Sequence, residues 1–328
     1  MVVIDSTDCQ QGRRAIACGT SGAVRQHNNH KVGTSSMTKI KWVSLLRICA
    51  AVLLLTSAVG RATADTDTII TGAGAHFAWV IFDSLKADLE KVSGRSIELH
   101  GRNSTLGMGC NAGIKTAMLN EPGHETFGFV CCPLSQEEVD SKKLRVYPLA
   151  LEPVLIVVNR ANPVSDLTAE QLRGIMRGDI VNWKEVGGND QPIVLVTRLH
   201  CKKRPGHWKT ILPDAAEFRQ KRLNVSSAAD MVQRVSDFSS ALGHIGSTWD
   251  FGADSKLKVL RIDGYQPTAE NLRSKHYPFF RNLSAVTNRT PGEDVLKIIH
   301  EVQTGPAFKA VAERYNLLQL EPSETRIQ

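Results

Sequence analysis

Apolar and polar positions follow two different periods along residues 65–328, and the two periods alternate. Short runs rich in β-branched residues, such as TIIT at 68–71 and the run at 193–197, predict strands. Between them, apolar residues recur every three or four positions, as at residues 76–92, and predict amphipathic helices. This alternation predicts an α/β fold in which β-sheets are flanked by helices.

The individual elements follow from caps and breaks in this pattern. A helix is predicted over 167–177, with Asp166 or Thr168 as its N-cap and Glu170 and Gln171 near the third position. The apolar stretch 146–158 predicts two strands, because Glu152-Pro153 interrupts it. Further strands are predicted at 96–100, 127–130, 244–247, 257–262 and 285–287, and further helices at 114–119, 208–223 (broken at Pro213), 228–238, 292–303 and 306–315.

The first part of the chain has the pattern of an export signal. Residues 48–60 (ICAAVLLLTSAVG) are an uncharged apolar run with basic residues before it and Ala62-Thr63-Ala64 after it. This order predicts a secretory signal peptide over 37–64, cleaved after Ala64. A membrane anchor is the alternative, but the run is short for a span of about 20 residues. We expect Met37 to be the initiator, residues 1–36 to be an upstream over-read, and the mature protein to be soluble and periplasmic.

The net charge of +7 is concentrated in that leader. Eight of the 40 basic residues and two of the 33 acidic residues fall within 1–64, so the rest of the chain is balanced to within one charge. A nucleic-acid-binding surface needs clustered positive charge on the folded body. The charge distribution therefore argues against a nucleic-acid partner.

Three strand-to-helix junctions, at 72–77, 107–113 and 198–208, are rich in glycine and small residues. Free backbone N–H groups at a helix start attract anions, and glycine lets a ligand approach the backbone closely. One such turn is weak support for a ligand site, because tight turns of this kind are common without one. Three in one α/β protein favour an anion-binding role.

Several of these segments resemble the phosphate-type periplasmic solute-binding proteins of ABC importers. The resemblance is carried by LTAEQLRGIMRGDIVNWKEVGG at 167–188, QPIVLVTR at 191–198, TGAGAHF at 71–77, GMGCNAGI at 107–114, and IDGYQPTAENL with YPFFRNLSAVT within 260–287. These motifs occur in the family's order over nearly all of residues 67–320.

The resemblance implies a periplasmic-binding-protein type II fold, with two lobes, each holding a mixed sheet flanked by helices, and a ligand cleft between them. It implies lobe 1 at 65–155 plus 263–328 and lobe 2 at 156–262. It further implies a monomer that needs no cofactor, performs no catalysis and presents a small anionic solute to an ABC permease in the inner membrane. The residues implied at the ligand are Ala75, His76, Met108, Gly109, Cys110, Cys131, Arg198, Cys201 and Gly206.

Three departures from the family pattern make the solute uncertain. Aligned on FG and PL, TFGFVCCPL at 126–134 places Cys131 where the family has a ligand-binding Asp. His76 stands where the first loop usually has a hydroxyl. Arg198 is retained, but the Ser-Gly-Thr that usually follows in its loop is replaced. The resemblance therefore supports the fold well but supports specificity for orthophosphate poorly, because a thiol is a far poorer proton acceptor than a carboxylate.

The cysteines after residue 65 allow three interpretations. In an oxidising compartment Cys110, Cys131, Cys132 and Cys201 predict disulfides, with pairs between loops favoured over a strained vicinal bridge. The alternative is a receptor for a soft metal or metalloid, because thiols and imidazoles suit such ions. That ligand set would be drawn from His76, Cys110, Cys131, Cys132, Cys201 and His207. A thiol-dependent enzyme with Cys131 as nucleophile is a third hypothesis, for which no orienting base is identifiable.

Overall fold

The structure is a computed structural model that describes residues 69–101 and 109–320. The predicted over-read at 1–36, the predicted signal peptide at 37–64, and Met108 lie outside these residues. The strands are β1 Ile70–Gly74, β2 Ile97–Leu99, β3 Thr126–Val130, β4 Leu144–Asn159, β5 Asp166–Leu167, β6 Val194–Thr197, β7 Leu223–Asn224, β8 Ala241–Gly246, β9 Leu257–Val259, β10 Arg261–Ile262, β11 Phe280–Asn288 and β12 Leu318–Gln319.

Helices connect and cover these strands, as the alternating pattern predicts. They are α1 Phe77–Ile81, α2 Lys86–Ser93, α3 Gly109–Met118, α4 Gln136–Ser141, α5 Ala169–Arg177, α6 Ala228–Asp237, α7 Ala269–Arg273, α8 Glu293–Thr304 and α9 Ala307–Arg314. In the described parts of the chain, no helix is both long enough and apolar enough to span a membrane.

The central feature is a mixed sheet of ten strands, with a path that runs β2-β1-β3-β11-β4-β8-β6-β7. Strand β4 is 16 residues long and changes neighbours along its length. Its first part pairs antiparallel with β11, and its second part pairs with β8 and β9. The chain therefore passes from one side of the fold to the other on a strand.

The apolar residues separate into cores on either side of that change. The first core packs Phe77, Phe82, Phe127 and Phe129 against the first part of β4 and helix α8. The second core packs the second part of β4 against Trp183, Trp208, Phe218 and Phe279, and a smaller cluster covers the opposite sheet face with α6. Phe279 belongs to the second core, although the predicted boundary at residue 262 assigns it to lobe 1. The position of the lobe boundary stays a prediction.

Four predicted elements differ from the structure. The strand predicted at 257–262 divides into β9 and β10, which pair with different strands. Residues 144–159 form one strand instead of two, because the prolines lie where pairing is irregular. Pro148 stands opposite the register shift at Leu283/Ser284, and Pro153 stands where β4 exchanges β11 for β8.

The other two differences concern predicted helices. Residues 76–92 divide into α1 and α2 at a turn where Phe82 packs against Phe127 and Phe129. Residues 208–223 contain only the 3₁₀ turns His207–Thr210 and Ala215–Glu217. Pro213 lacks the N–H that a continuous helix requires, and the Asp214 side chain caps the second turn by accepting from the Ala216 N–H at 2.9 Å.

Candidate functional site

Four cysteines converge although they come from three separate connections. Cys110 lies in the first turn of α3, Cys131 and Cys132 directly follow β3, and Cys201 lies in the loop after β6. The Sγ atoms of Cys110 and Cys131 are 3.5 Å apart, and the Cys131 N–H donates to Cys110 Sγ at 3.2 Å. The Sγ atoms of Cys110, Cys131 and Cys132 all lie within 4.8 Å of one another. We call these four residues the thiol cluster.

The fourth cysteine closes the cluster from the other side. The Cys201 sulfur lies within 4.8 Å of the Cys132 sulfur. The interaction with Cys110, followed by that with Cys132, lowers the pKa of Cys201 to about 3, whereas interactions with the other thiols and burial raise the pKa of Cys132. The partly exposed Cys201 therefore releases its proton more readily than the buried Cys132.

His200 borders the thiol cluster. Its Nε2 is 4.0 Å from Cys132 Sγ, and Cys132, His200 and Cys201 form a second group whose ligand atoms lie within 4.8 Å of one another. The ring of His200 also contacts the ring of His207 edge to face, with ring centroids 4.4 Å apart. Sulfur and imidazole nitrogen are the donors that soft metals prefer.

The loop that supplies Cys201 has an unusual backbone. Cys201, Gly206 and His207 all have positive φ angles, of 51°, 80° and 56°. A Cβ at Gly206 would lie 2.9 Å from the Cδ atom of Pro133, so glycine is required for the loop to approach the end of β3. Local strain of this kind often marks a loop that is held for function.

A small cavity of about 40 Å³ lies beside the thiol cluster. Its lining includes two guanidinium groups, three imidazoles and an indole, from Arg198, Arg281, His76, His207, His244 and Trp249. A cavity of this size holds one water molecule or part of a small ion.

The histidines of the cavity are neutral at physiological pH. Burial is the main reason that the pKa of His76 falls to about 4 and that of His244 to about 3. Arg281 lowers the pKa of His76 further, and His200 followed by Arg198 lowers that of His244 further. His244 Nε2 accepts from the Arg198 N–H at 3.5 Å, so its proton is on Nδ1. That buried Nδ1 has no hydrogen-bond partner among the described residues. It is a free donor at the cavity wall.

The two arginines differ in their charge partners. Arg281 is buried and pairs with the buried Glu152, which also accepts hydrogen bonds from Thr248 N at 2.8 Å and Thr248 Oγ1 at 2.7 Å. The Arg198 Nε donates to the Ser226 carbonyl at 3.0 Å, but the guanidinium forms no ion pair with a described carboxylate. Its charge is therefore available to a ligand.

A further pair joins the loop after β6 to the first core. Arg204 contacts both carboxylate oxygens of Glu138, at 2.7 and 2.9 Å, and donates to Asn111 Oδ1 at 2.9 Å. Glu138 also pairs with Lys142 at 2.5 Å. The Arg204 guanidinium, followed by Lys142, lowers the pKa of Glu138 to about 2. A bidentate ion pair thus joins the loop after β6 to α4.

The predicted ligand residues divide between the two features. Arg198 and His76 line the cavity, together with His207, whereas Cys110, Cys131 and Cys201 form the thiol cluster with Cys132. The Ala75 N–H donates to the Phe129 carbonyl at 3.0 Å, so that amide is used within the sheet. Gly109 begins α3, and Gly206 precedes the 3₁₀ turn that contains His207. His76 and His207 do not belong to either soft-ligand group among the described residues.

The predicted disulfides are not observed, since the four cysteines in the described residues are free thiols. The sequence analysis also missed Arg281, Glu152, His244 and Glu138. The first three lie on strands whose apolar pattern indicates core, and they meet only through pairing over about a hundred residues. A charged residue inside an otherwise apolar strand is the signal that could have identified Glu152 and Arg281.

Comparisons with known proteins agree with this architecture. The family model described as a PBP superfamily domain matches residues 61–312. The phosphate-binding protein PstS of Bacillus subtilis is 30% identical over 145 residues, which are 44% of this chain and 47% of that protein. PstS of Borreliella burgdorferi is 29% identical over 164 residues, 47% of this chain and 58% of that protein. The matches thus span about half the length of these curated relatives.

Solved structures match over a longer part of the chain. A Clostridium perfringens protein described as a putative phosphate ABC transporter substrate-binding protein with bound phosphate has a TM-score of 0.64 and 26% identity, covering 77% of this chain and 99% of its own. An ABC-type phosphate transport receptor from Vibrio cholerae has a TM-score of 0.56 and 25% identity, covering 77% and 100%. The expected two-lobed fold of periplasmic binding proteins is confirmed. The chain belongs to the PBP superfamily and is a PstS-like member of it.

Proposed function

We propose that this protein is a periplasmic substrate-binding protein that captures a small inorganic oxyanion, phosphate or a phosphate-like ion, for import. It acts as a monomer and presents the bound ion to an ABC permease in the inner membrane. The names of its relatives support phosphate import as the general role, and the pattern at 37–64 supports export.

The observation that carries this proposal is the unpaired guanidinium of Arg198 at the cavity. Arg281 adds a second positive charge, and His244 adds a neutral Nδ1–H donor at the same wall. Oxyanions are bound in proteins by such charge-assisted donors. No unpaired carboxylate lies among the described cavity-lining residues, so nothing there repels an anion.

The thiol at Cys131 determines the expected selectivity. A phosphate ion that carries a proton needs an acceptor in the site, and a protonated or hydrogen-bonded thiol is a weak one. Cys131 lies against Cys110, with only thiol partners for its sulfur among the described side chains. We therefore expect the affinities for phosphate, arsenate, sulfate and molybdate to differ less than they do in a receptor with a carboxylate at this position.

Titration calorimetry of the purified protein with these four ions tests the proposal. We expect heat from at least one of them, and we expect Arg198→Ala to weaken that binding by roughly tenfold to a hundredfold, because a hydrogen bond to a charged group is lost. Arg234→Ala is the matched control, since Arg234 is half-exposed on α6 and pairs with Asp237. Absence of heat with all four ions, or equal losses in both variants, would contradict the proposal.

A thiol-dependent enzyme has less support. Nucleophilic cysteines need a base within hydrogen-bond reach and a group that orients that base. In the described part of the chain, the sulfur of Cys131 contacts other thiols rather than an imidazole or carboxylate. The matched relatives are named for binding and transport. We therefore propose capture without catalysis.

A further inference from the structure

The thiol cluster is larger and more enclosed than an oxyanion requires. Cys110, Cys131 and Cys132 are each at most 5% exposed and lie at the edge of the first core. Only Cys201 reaches the surface, through a loop with a strained backbone. Four buried or half-buried thiols at one point are costly to keep reduced in an oxidising compartment, unless something binds them.

The sulfur positions match the needs of a tetrahedral centre. A soft ion such as zinc binds thiolates at about 2.3 Å, which places the sulfur atoms of a four-cysteine site about 3.8 Å apart. The Cys110–Cys131 separation is 3.5 Å, and the three buried sulfurs lie within 4.8 Å of one another. Shifts of about an ångström would therefore give these three sulfurs equal ligand distances. Cys201 lies within 4.8 Å of Cys132 and His200 but not of all three buried sulfurs, so it would join the site through a larger movement of its loop.

The surroundings suit the charge of such a centre. Each cysteine that binds as a thiolate releases its proton, so four thiolates around a divalent ion carry a net charge of −2. Arg198 and Arg204 are close enough to interact electrostatically with the thiols of Cys110 and Cys201, and Arg281 interacts with those of Cys131 and Cys132. The basic groups around the cluster would offset that charge without changing the oxidation state of any atom.

We propose that Cys110, Cys131, Cys132 and Cys201 bind one soft metal ion as a four-thiolate site, with His200 at its edge. The ion is of the zinc or copper(I) type, because these ions accept thiolate ligands in tetrahedral or lower coordination. This site goes beyond oxyanion capture and does not depend on it. Because Cys201 comes from the loop after β6 and the other ligands come from the first core, the metal would hold that loop closed.

Metal analysis of the full chain, purified without chelator and under reducing, oxygen-free conditions, tests the proposal. The apo protein is titrated with Zn²⁺ and, separately, with Cu⁺, against a coloured competing chelator. We expect about one equivalent of one of these ions to bind. Preference for either ion supports the proposal and identifies the metal. Binding of arsenite with neither metal would overturn it and assign the thiols to a metalloid.

Cysteine variants give the residue-level test. Cys201→Ser is the first variant, because Cys201 is partly exposed and its replacement leaves the core intact. We expect it to weaken metal binding at least about tenfold, as loss of a ligand does. Cys132→Ser should abolish stoichiometric binding, and circular dichroism of the apo variant checks that it has folded. His276→Ala is the control, because the His276 imidazole is exposed and lies outside both ligand groups, and it should bind metal like the unaltered chain.

The two proposals fail independently. Absence of metal binding, equal binding by all variants, or a mass deficit of two or four hydrogens in the freshly purified, unreduced protein would overturn the metal site. The last of these results would instead establish disulfides. Oxyanion calorimetry on the unaltered, metal-free protein is a separate readout, so heat from an oxyanion without metal binding would leave the receptor proposal standing.

Discussion

Gly113 and Gly128 show why residue size matters at the base of the site. Helix α3 crosses β3 so closely that a Cβ on Gly128 would lie 1.9 Å from the Gly113 carbonyl oxygen, and a Cβ on Gly113 would lie 2.5 Å from the Phe129 oxygen. From the sequence, we interpreted the glycines of this loop as positions where a ligand approaches the backbone. At Gly113 the structure gives a different reason, the packing that places Cys110 beside Cys131.

Gly128→Ala should therefore lower the free energy of unfolding by about 3 kcal/mol, because the obstructing atoms are backbone and cannot move aside. Gly94→Ala is the comparison, since Gly94 has a φ of 70° but nothing within 4 Å of a Cβ. It should cost about 1 kcal/mol. Urea denaturation of both variants measures the difference, and equal midpoints would disprove the close packing of α3 on β3.

At the scale of elements, α5 is the helix that the sequence specifies most completely. Thr168 is its N-cap, as predicted, and the Gln171 side chain returns the hydrogen bond in a capping box. Gly178 ends the helix in the left-handed conformation. The start, periodicity and end of this helix depend on residues that are close together in the sequence. They can therefore be predicted without knowledge of the tertiary structure.

Thr168→Ala should reduce the free energy of unfolding by about 1 kcal/mol. The Gln171 N–H loses its acceptor, and the return bond from the Thr168 N–H to the Gln171 side chain is no longer part of a capping box. Thr304→Ala tests the same chemical change at the end of α8, where the hydroxyl bonds only to its own helix, at His300 O. That control should change stability little, since such bonds do not support a helix. Thermal melting of both variants distinguishes them.

Elements that depend on distant partners were predicted less well. The apolar stretch at 146–158 was predicted as two strands because Glu152-Pro153 interrupts its pattern. The structure tolerates Pro153 because β4 exchanges β11 for β8 at that position. The loops that carry Arg198 and the four cysteines were identifiable from glycine and family motifs. Arg281 and His244 were not, because their place at the cavity arises from sheet pairing rather than from any motif nearby.

On the scale of the whole molecule, the described cores are joined at strand crossings and by a partly buried ion pair. The buried pair of Glu152 and Arg281 lies where β4 and β11 pass between the cores. Arg204, in the loop after β6, pairs with Glu138 on α4. This contact joins that loop to the part of the fold that contains the first core. A receptor that closes on its ligand by hinge motion needs contacts of this kind that can form and break.

The pH dependence of that ion pair is a direct test of its contribution. The folded pKa of Glu138, about 2, lies below its ordinary value of 4.5, so the unfolded chain binds more protons between these values. The pair should stabilise the fold fully above about pH 4.5 and lose this effect as the pH falls towards 2. Stability of Glu138→Gln, measured by urea denaturation across this range, should be lower than that of the unaltered protein at pH 7 and should fall less steeply below pH 4.5.

Glu137→Gln is the matched control, because the neighbouring Glu137 is exposed and forms no ion pair with a described residue. Its stability should follow that of the unaltered protein at every pH. If Glu138→Gln also follows that curve, Arg204 does not hold the loop after β6 against the first core. The closed position of Cys201 would then depend on the thiol cluster alone, and removal of its metal should open the loop.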